Sequence, residues 1–262
     1  MSSSCSVPRL LSLCSLNIRS LVNSDHVIAL HDLAKSQGYD CFAISESWLS
    51  ASNTSSEIMS IPPPGYDMIA ANRDTRVPGA RGGGVALIYR QALSLLSTDV
   101  PSFSSIEAIC ATLQSGSRPL HVVSVYRPPD SSVYGKPFDV FMKEFTAFLT
   151  SLVTSKREFV IAGDLNIHLD DASKSQTQQF LSLLESRSTK QHINIATHRD
   201  NHILDVIITP INSCIEASSV SILLYSPSDH FPIVCSFDIN SNHEKSDSVP
   251  KSFRALAISM QS

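Results

Sequence analysis

The stretch FVIAGDLNIHLDD, Phe159–Asp171, runs from four apolar residues through Gly163 into three carboxylates and an asparagine. A buried strand ends at the glycine, and its next residues fall where backbone and carboxylates meet solvent. In an extended chain Asp164 and Asn166, two apart, face one spot. A single acid after a strand fits a loop cap as well as a catalyst, so the reading turns on what else reaches that spot. Asp170 and Asp171 belong to the loop that leads into the next helix, for which Ser173 is the expected cap.

Outward from this stretch the chain repeats the same punctuation. LLSLCSLNI (Leu10–Ile18) reads as a strand ending at Asn17, and YDCFAISESWL as a strand broken at Glu46. YDMIAA, GGVALIY, IEAICATL and LHVVSVY read as short strands, the last ending at Tyr126. HILDVIITP carries Asp205, and HFPIVCSFDI follows Asp229 and His230; ASSVSILLY is a further expected strand. Helices are expected over SDHVIALHDLAKSQG, capped by Ser24 and closed by Gly38, over the segment from Phe138, and over SKSQTQQFLSLLESR. Phe138, Phe141, Phe145, Phe148 and Leu152 share one helical face and read as core. Ser50–Gly65 and RPPDSSVYGKP read as loops. Many short strands around few helices indicate two sheets packed face to face with helices outside.

The chain has 262 residues, 42% of them hydrophobic and 17% charged, which suits one globular domain of layered α/β type. The expected division is a flexible N-terminus 1–9, a domain 10–239 and a polar tail 240–262. A formal net charge of -4 excludes nucleic-acid binding by bulk charge alone, so phosphate binding must be local or metal-assisted. The six cysteines form no CxxC pair and read as buried reduced thiols. No apolar run approaches the roughly 20 residues of a membrane span. The glycines of RDTRVPGARGGG (Arg73–Gly84) make no nucleotide-binding fingerprint; this stretch reads as a solvated hairpin loop or as a DNA-backbone contact. His168, His192, His198 and His202 read as surface or loop histidines, and Trp48 as packing beneath the strand end.

If the strand ends gather at one edge, they bring together Glu46, Asp164, Asp205, Asp229, Asn17, Asn166 and His230. Carboxylate and amide oxygens suit Mg²⁺ or Mn²⁺; one histidine and no cysteine suit Zn²⁺ poorly. A divalent ion, a histidine paired with an acid and a carboxylate able to take a proton from water fit phosphoester hydrolysis better than acyl transfer. Asp205 inside an apolar run is the most telling, because a carboxylate there needs a partner or shifts its pKa.

The motifs SLNIRSL, ISESWL, GGGVALIY, VYRPP, GDLNIHL, LDVIIT and SDHFPI stand in this order over Leu10–Ile239. In these the sequence resembles the endonuclease/exonuclease/phosphatase superfamily, and within it the apurinic-endonuclease-like domains of LINE-type (non-LTR) retrotransposons. The resemblance implies a DNase-I-like four-layer α/β sandwich, two mainly antiparallel sheets flanked by helices. It implies a Mg²⁺-dependent endonuclease, with Mn²⁺ as substitute, that nicks one DNA strand and leaves 3′-hydroxyl and 5′-phosphate ends. Glu46 would bind the metal, with Asn17 beside it and Asp229 at a second metal position. Asp164 would orient or deprotonate the attacking water, Asn166 hold a phosphate oxygen, and Asp205 with His230 form the acid–imidazole pair. Tyr126 would contact the scissile phosphate, with Arg127 as a further substrate contact. Arg19 stands where many members carry an acid, and Pro129 where repair members have Asn, which weakens an abasic-site role. DNA is the expected partner, with no membrane, no nucleotide cofactor, a monomeric state and an intracellular, nuclear location. The alternatives are a phosphoinositide or other phosphoester phosphatase of the same fold, and a catalytically decayed DNA-binding or interaction domain.

Overall fold

The computed structural model describes residues 10–73, 82–116 and 118–239. The expected N-terminal segment 1–9, the tail 240–262 and most of the arginine-glycine loop lie outside them.

Two parallel strand pairs organise the chain. The first is β1 (Leu10–Asn17) beside β2 (Cys41–Ser45), joined by α1 (Ser24–Gln37). After a single-turn helix α2 (Ser55–Met59) come β3 (Tyr66–Ala71), β4 (Val85–Arg90), β5 (Ser94–Asp99), β6 (Glu107–Gln114) and β7 (Pro119–Tyr126). Then α3 (Phe138–Thr154) carries the chain over to β8 (Phe159–Asp164), which lies parallel to β7. The rest is α4 (Ser175–Ser186), β9 (Thr189–Gln191), β10 (Asp205–Pro210), a 3-10 turn at Ala217–Ser219, β11 (Ser221–Ile222) and β12 (Ile233–Asp238). One six-stranded sheet has the order β11-β12-β1-β2-β4-β3 and the other β5-β6-β7-β8-β10-β9. All other pairings are antiparallel.

Three apolar clusters make four layers. Leu13, Ala43, Leu87, Val122, Ala162 and Ile207 fill the space between the sheets. Leu30 and Leu33 of α1 cover the outer face of the first sheet through Leu16, Phe42 and Ile44. The α3 residues Phe141, Phe145, Phe148 and Leu152 cover the second through Val123, Phe159 and Ile161, with Phe180 of α4. Strands buried on both faces explain the unbroken apolar runs in β2, β4 and β8. Ser124 Oγ, fully buried, donates to Ile44 O at 2.9 Å and so joins the two sheets by a hydrogen bond. The five cysteines in the described residues are free and buried, as the spacing indicated.

Local details depart from the sequence reading. Asn23, not Ser24, caps α1, accepting from Asp25 N at 2.9 Å, because its side chain is one residue outside the first turn. Ser173 does not cap α4: its N–H and hydroxyl both bond Asp171, and the helix begins after Lys174. The loop 50–65 contains α2, closed by a Thr54–Glu57 capping box. The run expected as one strand from Ala217 yields only β11, because the prolines and turns after it bring the chain back toward β12.

Candidate active site

Strand ends from both sheets meet at one edge of the sandwich. Tyr126 and Asp164 end neighbouring parallel strands in register, and Asp205 opens β10 opposite Asp164. From the other sheet Asn17 ends β1, Glu46 follows β2 and His230 precedes β12. Parallel strands deliver their carboxyl ends to the same side, so this placement follows from the two crossovers.

Asn17 bridges the sheets. It is 1% exposed, and its Nδ2 donates to Asp164 Oδ2 at 2.9 Å and Glu46 Oε1 at 3.2 Å. Its carbonyl accepts from Ser228 Oγ at 2.6 Å, which fixes the segment before His230 against β1. Glu46 and Trp48 have φ of 53° and 56°, a left-handed conformation that costs a non-glycine residue about 1–2 kcal/mol. The turn is held by Ser47 N and Trp48 N, which donate to Gly84 O and Gly83 O at 3.0 and 2.8 Å. Trp48, expected to pack beneath the strand end, is half-buried and donates from Nε1 to Glu46 Oε2 at 3.0 Å.

The opening stretch makes the opposite wall. Gly163 has φ 142°, and a Cβ there would stand 2.0 Å from Val125 O, so only glycine lets β8 lie this close to β7. Asn166 (φ 50°) turns the chain so that its N–H meets Asp164 Oδ1 at 2.9 Å. Its Nδ2 donates to Arg127 O at 2.8 Å and Asp164 Oδ2 at 3.3 Å.

His230 Nδ1 meets Asp205 Oδ2 at 2.8 Å, and its Nε2 lies 3.8 Å from Asp164 Oδ2. Burial opposes charge on His230, but the Asp205 carboxylate, with Asp164 and Asp229 behind it, pushes its pKa up to about 10. Burial raises the Asp164 carboxyl to about 7, helped by Asp205 and countered by His230 and the Asn166 N–H. Burial also raises the Tyr126 phenol, with Glu46 and Asp164 adding to it.

Asp229 stands at the rim. Its Oδ2 takes Arg19 Nη1 at 2.6 Å and lies 3.4 Å from His198 Nε2, while its Oδ1 is buried without a hydrogen-bond partner. Burial works against its charge, but Arg19 and His230 outweigh it, so its pKa stays below the ordinary carboxylate value. Four carboxylates, Glu46, Asp164, Asp205 and Asp229, thus face one imidazolium and one guanidinium. With Asp164 ionised the cluster is two positive charges short, and a phosphodiester adds another negative one. The hard oxygens, the partnerless Asp229 Oδ1 and this charge shortfall fit a divalent cation. Asp164–Asp205–His230 and His198–Asp229–His230 each bring their ligand atoms within 4.8 Å of one another.

Arg127 needs correction as a substrate contact. It is 2% exposed and turned inward, with Nη1 on Leu165 O at 3.2 Å and Asn166 O at 3.4 Å. It pairs with Asp130 and lies over the Phe138 and Phe141 rings. Carbonyls and ring faces occupy its donors, so it shapes the Asp164–Asn166 loop from beneath.

Sequence reasoning missed several supporting residues. Glu107, opposite Tyr126 on β6, pairs with Arg73 and accepts from Gly84 N at 2.5 Å, which fixes the glycines that hold the Glu46 turn. A lone acid opening an apolar run was its signal. Thr197 Oγ1 accepts from Asp205 N at 3.2 Å, and the His198 ring packs edge-on against His230. Those two come from a loop with no pattern that points to the site.

The sequence pattern of the Endonuclease/Exonuclease/phosphatase family matches residues 14–230. No curated protein matches the chain. Among solved structures, the AP endonuclease LMAP from Leishmania major superposes with a TM-score of 0.69 at 14% identity, covering 88% of each chain. The endonuclease domain of TRAS1, a telomere-specific non-LTR retrotransposon, gives 0.64 at 12%, covering 89% of this chain and all of that one (100%). A 3′ phosphatase, NExo from Neisseria, bound to a product DNA hairpin, gives 0.62 at 16%, covering 87% and 99%.

Proposed function

The chain belongs to the endonuclease/exonuclease/phosphatase family, whose members hydrolyse phosphoester bonds, and on that premise we propose that it is a divalent-metal-dependent phosphodiesterase that nicks one strand of DNA. The cut leaves 3′-hydroxyl and 5′-phosphate ends. The observation that carries this reading is the buried His230–Asp205 pair beside Asp164, with Glu46 of the other sheet tied to Asp164 through the Asn17 amide. The motif order and the fold shared with the TRAS1 domain support a retrotransposon origin, and with it a nuclear location. No helix among the described residues is long and apolar enough to cross a membrane.

Glu46 and Asn17, with Asp229 at the rim, would hold Mg²⁺, or Mn²⁺ in its place. Bound there, the cation supplies positive charge to a phosphoryl oxygen and to the leaving oxygen. Asp164 orients the attacking water and accepts its proton, held in aim by the Asn166 N–H and the Asn17 amide. His230, kept charged by Asp205, donates from Nε2 to a non-bridging phosphoryl oxygen as negative charge builds. The Tyr126 hydroxyl lies close to Glu46, and its strand flanks Asp164 on the side opposite Asp205, so it gives a second donor across from His230.

Supercoiled plasmid, with and without abasic sites, tests the proposal in Mg²⁺ against Asp164→Ala and His230→Ala. Metal-dependent nicking by wild type alone supports it. Inositol phosphate release without nicking replaces it with a phosphatase, and DNA retention without cleavage with a binding domain.

A further inference from the structure

We propose that His168, Asp170 and His202 form a second metal site, built for a borderline transition-metal ion such as Zn²⁺ and sharing no residue with the active site. The inference stands apart from the nuclease reading. His168 and Asp170 lie in the loop after β8, and His202 in the loop before β10. Their ligand atoms come within 4.8 Å of one another. The imidazole rings of His168 and His202 meet edge to face with centroids 4.4 Å apart.

Two features distinguish this group from a casual surface contact. The loops that carry it are already tied together: Leu169 N donates to Ile203 O at 3.0 Å, and Ile203 N to Asp170 Oδ1 at 2.9 Å. Asp170 Oδ2 also meets His202 Nδ1 at 3.0 Å, which sets ring and carboxylate side by side. Second, His168 Nδ1 is buried and makes no hydrogen bond. A buried polar nitrogen without a partner is a cost that a cation within reach removes.

The donor set chooses the metal. Two imidazoles and one carboxylate suit Zn²⁺, with a fourth position left to water, whereas Mg²⁺ prefers all-oxygen shells. In the active site the Asp164–Asp205–His230 group, with one imidazole among carboxylates, has the opposite bias, while His198, Asp229 and His230 offer a competing set that the His168→Gln and His202→Gln variants leave intact. An ion at His168, Asp170 and His202 would cross-link the loop holding Asn166 to the loop leading into Asp205, and so stiffen both.

The test titrates the metal-free full chain with Zn²⁺ in excess Mg²⁺ by calorimetry, with Co²⁺ as a visible-absorption probe of nitrogen coordination. One equivalent should bind to wild type and to Asp205→Asn. Binding should weaken at least about tenfold in both His168→Gln and His202→Gln, and Zn²⁺ should raise the melting temperature of wild type but not of these two. His168→Gln keeps the test sound if His202→Gln fails to fold, because its free nitrogen supports no hydrogen bond. Wild-type affinity in a folded His168→Gln, loss of the equivalent in Asp205→Asn alone, or no Zn²⁺ bound by wild type would each overturn the proposal.

Discussion

The His230–Asp205 pair and the His202–Asp170 pair flank the same loops, at 2.8 and 3.0 Å. The first has side chains 7% and 3% exposed, the second 39% and 28%. Near-equal geometry therefore gives different chemistry. In the buried pair the carboxylate outweighs the loss of water and holds the imidazole charged, with its second nitrogen aimed at Asp164. In the exposed pair water screens the attraction, which is worth about 0–1 kcal/mol. That bond is easily given up, and the histidine can turn to another ligand. The Asp205 carboxylate keeps the buried imidazole charged and in place, whereas the exposed pair stays exchangeable.

Removing the buried histidine or its neighbouring base should break this contrast most. His230→Ala and Asp164→Ala should each lower kcat/KM for plasmid nicking by about 10³-fold, within the range for a lost acid or base. A similar loss in His202→Ala would erase the distinction. Asp205→Asn keeps the shape but removes the charge that orients His230. It should cost about 10²-fold, measured in the same assay, with the larger effect on kcat.

Gly163→Ala probes the platform that both pairs share. The new methyl would press on Val125 O in a backbone conformation that alanine disfavours. Unfolding by denaturant should show a loss of roughly 2 kcal/mol.

The pH dependence of stability in the metal-free protein reads the buried pair without any substrate. The fold raises His230 from 6.5 to about 10, so its contribution is complete below about 6.5 and is lost as pH rises toward 10. Asp164 is raised from 3.8 to about 7, so the fold favours its neutral form, and stability falls as pH rises through that window too. The melting temperature should drop from pH 6 to 10, and His230→Gln should flatten the upper part. A flat wild-type profile would contradict the buried charge pair.

The contrast also marks what the sequence could reveal. Asp205 was conspicuous because a carboxylate in an apolar run demands a partner, and the partner is His230, 25 residues on. Asn17, Glu46, Tyr126 and Asp164 were legible as polar ends of strands whose shared edge follows from two sheets and two parallel crossovers. The four-layer fold was legible from short strands, a phenylalanine-striped helix and the order of motifs. Arg127 misled because an arginine beside a site residue suggests phosphate, and only packing shows its donors taken by Leu165 and Asn166 carbonyls. His168 and His202 looked like unrelated loop residues, since no local spacing links them; the antiparallel contact of two loops does. The caps failed for a smaller reason: Asn23 takes the first-turn donor Asp25 N, and Asp171 ties up the Ser173 hydroxyl itself.

Plasmid nicking in Mg²⁺ by wild type, Asp164→Ala and His230→Ala, each checked for folding, bears most directly on the active site. Metal-dependent conversion of supercoiled to nicked circles by wild type, about 10³-fold slower in both variants, is the expected result. Equal nicking by all three proteins would contradict it.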